Sequence, residues 1–393
     1  MAKSGTNKRQ GLLKVGKWDF PLFAVVLCLC LFGLVMVLSS SYYYAYRSQS
    51  NGFFYFNKQA KLFVGGLILM IGVSFLPYKY YKKKLAYIGI LAIAMILVFL
   101  TPIIGDEVNG AKRWIKIAGI SIQPAELAKF AIVIGMSAYM ASNKEKLRRA
   151  SKGIVWLTVV FFVPFAIGIL LQKNLSTLII VAVAFVAMLL IGEIPTKHIF
   201  ILGSVLAVAL ICCAVFQPYR LERLTGSWFN PYKDPSGSGY QLIQSFYAIS
   251  SGGLFGKGLN LSKQKLLFLT YGESDFIFAI IAEELGFFGC LLLIAGYLFL
   301  LYRGIWVAMR IKDRFGRFLA SGISIIIALQ AFIHMAVCVG LAPTTGQTLP
   351  FISSGGTSLI IFMTASGILL NISRYIDTPF SKKQGKAKAE AKT

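Results

Sequence analysis

Residues 19–41 read DFPLFAVVLCLCLFGLVMVLSSS, an unbroken apolar run that opens beside Asp19 and closes in three serines. At about 1.5 Å of rise per residue, a helix of this length crosses a hydrocarbon core of about 30 Å. The run lacks the period-two alternation of a barrel strand. Lipid offers no partner to a backbone N–H or C=O, so a helix, which satisfies both within the segment, is the workable conformation. The run is too long for the apolar part of a cleaved signal peptide, and aromatic residues from Tyr42 onward follow it rather than a soluble domain.

Similar runs recur from end to end, at approximately 19–41, 61–77, 85–102, 123–142, 154–172, 174–192, 198–216, 276–302, 319–341 and 354–374. The composition agrees. The 393 residues are 57% hydrophobic and only 14% charged, against about 25% charged in ordinary soluble domains, and the mean hydropathy is +0.71. The expected fold class is an all-α polytopic membrane protein of about ten transmembrane helices. Its expected division is a cytoplasmic tail at 1–18, a transmembrane region at 19–374, and a basic cytoplasmic tail at 375–393. A large extracytoplasmic loop at 217–275 separates helices 7 and 8. An even number of spans puts both termini on one side, and the loops on that side carry about twice the Lys and Arg of the opposite loops, which makes both termini cytoplasmic.

The formal net charge of +25 raises the question of nucleic acid. The basic residues instead form short clusters beside spans, such as Lys79, Lys82, Lys83 and Lys84, which suit anionic lipid headgroups. No basic domain with stacking aromatics accompanies them, so a nucleic-acid partner is not expected. All six cysteines fall in predicted spans and the two histidines, His198 and His334, share no ligand spacing, so neither a disulfide framework nor a zinc centre is expected.

Charges at membrane depth are functional candidates by default. In Gln123-Pro124-Ala125-Glu126-Leu127-Ala128-Lys129, Pro124 suits a helix start, and the spacing of three puts Glu126 and Lys129 on one face. Two readings stay open for that pair: a structural ion pair inside the bundle, or a substrate contact. Just upstream, Lys112, Arg113 and Lys116 surround Trp114. This group is either a phosphate-binding surface or an interfacial belt that sets depth. Asp275 closes the long loop immediately before an apolar span, where a carboxylate is either a general base or a helix N-cap. Glu283 and Glu284 follow about two turns further in; one of them is expected to face the interior, and Glu283 is the candidate substrate contact. The segment 342–356 is non-helical by its Pro and Gly content and is expected to line a cavity open to the outside, with Ser353 and Ser354 within reach of substrate.

Taken together, Asn109 to Ile115, Gln123 to Lys129, Asn230 to Gln241, Ser274 to Glu284 and Pro343 to Gly356 resemble, in this order, the motifs of the SEDS family of shape, elongation, division and sporulation proteins. The likeness spans nearly the whole chain and lies nearest the FtsW and SpoVE branch, relatives of RodA. It implies a ten-helix peptidoglycan glycosyltransferase of the bacterial cytoplasmic membrane that polymerises lipid II in cell division or sporulation. It further implies a class B penicillin-binding protein, and other membrane proteins of the division complex, as partners. Asp275 matches the family's essential loop aspartate, Glu126 and Lys129 its intramembrane pair, and Arg113 and Trp114 its outward-loop motif. Gln172 to Thr177 departs from the Pro-Asp-Leu-Gly-Thr pattern of many relatives, and Thr270 and Glu273 alter the context ahead of the aspartate.

The expected chemistry is an inverting hexosyl transfer. Asp275 takes the proton of an acceptor hydroxyl, while Lys112 and Arg113 meet the charge that develops on the leaving lipid pyrophosphate. No cofactor is required by this scheme, and a divalent cation, Mg²⁺ or Mn²⁺, is the one candidate addition. Two rival readings are a flippase for the same lipid-linked precursor and a scaffold for a penicillin-binding protein.

Overall fold

The computed structural model describes residues 16–108, 110–117, 120–143, 145, 147, 151–192, 194–215 and 228–376. Residues 1–15 and 377–393 of the expected tails, residues 217–227 of the long loop, and Asn109 lie outside the described residues.

Eight helices are long and apolar enough to cross a membrane, and two shorter apolar helices bring the number among the described residues to ten. In chain order the first four are α1 (Phe20–Gln49), α2 (Phe54–Phe75), α3 (Lys84–Ile104) and α4 (Pro124–Ser142). Next comes α5, formed by Ser151–Leu157 and Val163–Leu171 with a π-turn at Thr158–Phe162 between them. Pro164 follows that turn at once, and the widened turn accommodates its missing N–H. Then come α6 (Leu175–Ile191), α7 (Thr196–Val215), the short α8 (Tyr240–Gly252), α9 (Ile277–Arg310), α10 (Arg314–Cys338) and α11 (Thr357–Ser373). The seventh and eighth spanning helices are α7 and α9, and α8 lies in the long loop between them.

Local chemistry sets several of the boundaries. Asp19 caps α1 by accepting from Leu22 N at 2.9 Å, and Asp313 caps α10 by accepting from Gly316 N at 3.1 Å. Asn174 caps α6 through Thr177 N at 3.3 Å. Asp19 does a second job, pairing with Arg303 of α9. These caps satisfy donors that the first helical turn leaves without partners.

The bundle is built around α4 and α10, the two most buried long helices, with α4 against α3 and α10 and with α11 on α2. At its centre Lys129 Nζ sits 2.7 Å from Glu126 Oε1, both side chains fully enclosed. Gln330 of α10 also receives a hydrogen bond from Lys129, and the ammonium lies 5.5 Å from the centre of the Phe362 ring.

Two features depart from a plain helical bundle. The segment joining α3 to α4 forms a small antiparallel sheet, β1 (Asp106–Val108), β2 (Ala111–Ile117) and β3 (Ile120–Ile122), in the order β1-β2-β3. In its register Val108 faces Ala111 and Ile115 faces Ile122, and Gly110 turns the first hairpin with φ +73°. The second departure is a break in α9 at Gly286, with φ +67° and ψ −164°. Lys257 N and Gly258 N donate to the freed carbonyls of Glu283 and Glu284 at 3.0 and 2.9 Å, and Phe287 N donates to Gly253 O at 2.9 Å. A Cβ on Gly256 would lie 2.1 Å from Glu284 O, so only glycine lets the loop come this near.

The central pair yields a stability test. Lys129→Ala strands a buried Glu126 charge, a change that costs about 3–5 kcal/mol in comparable buried pairs. The melting midpoint in detergent should fall sharply for Lys129→Ala and recover in Glu126→Gln/Lys129→Met. Equal melting of the single and double variants would show that the stranded charge is not what matters.

Candidate active site

A cavity of about 480 Å³ opens at one end of the bundle, between α2, the sheet, the start of α4, the approach to α9 and the irregular segment after α10. Its size falls within the range of roughly 300–1,000 Å³ found for small-molecule sites. Both signs of charge meet there: Asp275 and Asp106 are the acids of its wall, and Lys58, Arg113 and Lys116 the bases.

Asp275 reaches the cavity from the last turn of the long loop. Phe276, not Asp275, holds the N-cap position of α9, so the helix-cap reading of this acid falls to its neighbour. The backbone that carries Asp275 is held on several sides. Asp275 N donates to Tyr271 O at 3.0 Å, and Ser354 N donates to Glu273 O at 2.9 Å. Ser353 Oγ donates to Ser274 O at 2.6 Å while accepting from Leu349 N at 2.8 Å, and Gln59 Nε2 of α2 donates to Ser353 O at 3.1 Å. Burial pushes the neighbouring Glu273 carboxyl above its usual range.

The floor between acid and base is Gly346. A side-chain carbon placed on it would lie 3.6 Å from Asp275 Oδ2 and 3.6 Å from Arg113 Nη1, so the two charged groups flank one open point. Arg113 stands on β2 and is steadied by the turn before α6, where Nη2 donates to Lys173 O at 2.8 Å. Lys173 has φ +54° and returns a bond from Nζ to Gly110 O at 3.0 Å, tying the hairpin to that turn. Lys116 is engaged with Asp106 at 3.1 Å. Lys58 makes no hydrogen bond or ion pair among the described residues, which leaves its ammonium available to an anion.

The irregular segment 342–356 lines this cavity, as its Pro and Gly content predicts, through Thr344, Gly346, Thr348 and Ser354 among others. Gln330 Nε2 takes Thr348 O at 2.9 Å, and His334 Nδ1 meets Gln347 O at 2.7 Å. The same two α10 residues therefore hold the segment from below while Gly346 faces the charges above.

Of the residues read from the sequence as site candidates, Asp275, Arg113, Trp114 and Ser354 stand in the cavity wall. Lys112 does not; it lies opposite Glu107 in the hairpin register. Glu126 and Lys129 do not reach the wall either, because their side chains are enclosed in the core below it. Ser353 is absent from the wall and spends its hydroxyl on the backbone beneath Asp275. Glu283 is turned away, fully buried against Lys257 and Ser262. In this structure these residues therefore lie outside the cavity wall, with Ser353 and Glu283 bonded to the backbone and loop around it. Lys58 was overlooked because α2 begins at Phe54, earlier than the predicted 61, which moves this lysine from a loop onto the first turns of a spanning helix. A charge beside Gln59 at the head of an apolar run was the signal available.

Comparison with known proteins follows the same outline. Residues 20–378 match the FtsW/RodA/SpoVE family, described as cell cycle proteins. The probable peptidoglycan glycosyltransferase FtsW of Trichlorobacter lovleyi is 36% identical over 92% of this chain and 94% of its own. Stage V sporulation protein E of Bacillus subtilis is 37% identical over 91% of this chain and 97% of its own. Among solved structures, a chain of a peptidoglycan synthase complex superposes with a TM-score of 0.74 at 26% identity, over 92% of this chain and 99% of that one. The rod shape determining protein RodA of Thermus thermophilus has the same fold, with a TM-score of 0.67 at 24% identity over 92% and 98% of the two chains. With a match that runs almost the length of the ten-helix bundle, this chain is a member of the FtsW/RodA/SpoVE family of cell cycle proteins.

Proposed function

We propose that this protein is a peptidoglycan glycosyltransferase that polymerises lipid II at the external face of the cytoplasmic membrane, with Asp275 as the general base. The observation that carries the reading is the convergence of Asp275 Oδ2 and Arg113 Nη1 on the open point above Gly346. An acid and a fixed cation in one cavity are what a transfer from a pyrophosphate carrier needs.

In this reading the acceptor sugar hydroxyl loses its proton to Asp275 as its oxygen attacks the anomeric carbon of the donor. The bond from that carbon to the lipid pyrophosphate breaks with inversion, and the pyrophosphate departs with the electron pair. Arg113, as a planar fork, and Lys58, as a mobile point charge, stabilise the charge that grows on the leaving oxygens. Asp275 and the substrate's own phosphates would hold a divalent cation, since such ions are commonly bound by one or two carboxylates plus phosphate. It would supply further charge neutralisation; Asp106 is already engaged with Lys116. The positive-inside distribution supports cytoplasmic termini, and hence an external cavity. The likeness to a peptidoglycan synthase complex supports a penicillin-binding protein as partner.

Purified protein given lipid II in detergent, where transport has no meaning, should form glycan chains; failure with and without a penicillin-binding partner would favour a flippase or scaffold. A general base contributes about 10²- to 10⁴-fold, so Asp275→Ala should keep the native melting profile and lose at least 100-fold in polymerisation, and near-normal turnover would reject the assignment. Lys58→Gln should slow turnover roughly tenfold, with Lys58→Arg recovering most of it, which is read from initial rates across lipid II concentrations. Gly346→Val should abolish activity without unfolding, since its branches enter the gap between acid and cation, whereas Gly346→Ala makes only ordinary contacts there.

A further inference from the structure

The break at Gly286 divides α9 into a short segment, Ile277–Leu285, and the long remainder. Asp275 sits just beyond the outer end of the short segment. From Gly286 to Asp275 the distance is about 16 Å at helical rise, so a tilt of about 4° at the break would move the carboxylate by about 1 Å. Misplacement on that scale can cost about 100-fold in rate. The short segment therefore needs a lock.

Glu283 has the geometry of one. Its carboxylate Oε1 accepts from Lys257 Nζ at 2.6 Å, Lys263 N at 3.0 Å and Ser251 Oγ at 3.3 Å. Oε2 accepts from Ser262 Oγ at 2.5 Å and Gln264 N at 3.2 Å. Every donor belongs to α8 or to the loop that leaves it, so one side chain gathers that loop onto the short helical segment. Glu284 continues the attachment to a third element: Lys265 Nζ reaches Glu284 Oε1 at 2.9 Å and Ser39 Oγ of α1 at 3.1 Å. The loop amides that enter the break at Glu283 O and Glu284 O complete the seam.

We propose that Glu283 is a positioning residue for the transfer reaction, acting through Asp275 by locking the Ile277–Leu285 segment against the loop at the Gly286 break. The inference rests on the reading of Asp275 given above. Glu283 itself touches no part of the cavity and supplies no proton to it.

The test is steady-state polymerisation of lipid II by the purified full chain in detergent, with melting measured alongside. Glu283→Ala should lower kcat by roughly 10- to 100-fold and leave KM within about twofold, because the cavity's cations are untouched. Lys257→Met removes one donor to the same carboxylate from the loop side, while Ser262 and two backbone amides still hold it; it should lower kcat in the same direction by a smaller factor, again with KM within about twofold. Should Glu283→Ala fail to fold, Lys257→Met carries the test alone, and a lowered kcat at unchanged KM with native melting supports the lock. Wild-type kcat in Glu283→Ala, a loss through KM alone, or, where only Lys257→Met folds, wild-type kcat in that variant would each overturn the positioning role. Asp275→Ala assayed in parallel separates the two levels: if it polymerises normally the reading of the site fails, and if it is inactive only the role of Glu283 is at stake.

Discussion

Hydrocarbon supplies no hydrogen bonds, and the architecture of this protein follows from that one constraint. The ten apolar helices among the described residues satisfy it by closing their own backbones. The interest lies in the places where they do not: the break at Gly286 and the irregular stretch after α10. At the break, carbonyls released by the helix are taken by Lys257 N and Gly258 N. After α10, the side chains of Gln330 and His334 meet the carbonyls of Thr348 and Gln347. Each departure from helix is thus covered by protein, and the same departures shape the cavity. Regular helices alone would pack without one.

The polar interior is arranged in layers beneath that cavity. Asp275 and Arg113 stand at the top, the backbone of Gly346 to Leu349 forms a floor, and Gln330, Glu126 and Lys129 lie below. Gln330 links the layers, accepting from Lys129 while donating to Thr348 O. A charged pair buried this deeply adds little net stability by itself. Through Gln330 the pair is in hydrogen-bond connection with α10 and the floor, so α4, α10 and the irregular segment share one polar network beneath the cavity.

Much of the site was legible from residue type and place. Asp275 was singled out as an acid at the junction of a long loop and an apolar run, and it lines the cavity. The irregular segment was recognised from Pro and Gly. The hairpin was missed although Asn109-Gly110, two residues between Val108 and Ala111, is a strong short-range hairpin signal. Strand geometry then separated neighbours that the sequence treats alike, with Arg113 in the wall and Lys112 across from Glu107. Glu283, grouped with substrate contacts, proved to serve the loop, because the residues that claim it lie 19 to 32 positions away in the chain.

The sequence by itself determined the solvent of this protein, its helical class, the approximate places of its apolar spans and the short roster of charges at membrane depth, because transfer free energy and backbone saturation act on local composition. Tertiary structure decided which of those charges share a cavity and which hold it together. Orientation of a side chain depends on the break at Gly286, the register of a three-stranded sheet and contacts such as Gln59 with Ser353 O and Ser39 with Glu284. These join residues up to 294 positions apart, a distance over which local pattern carries no information.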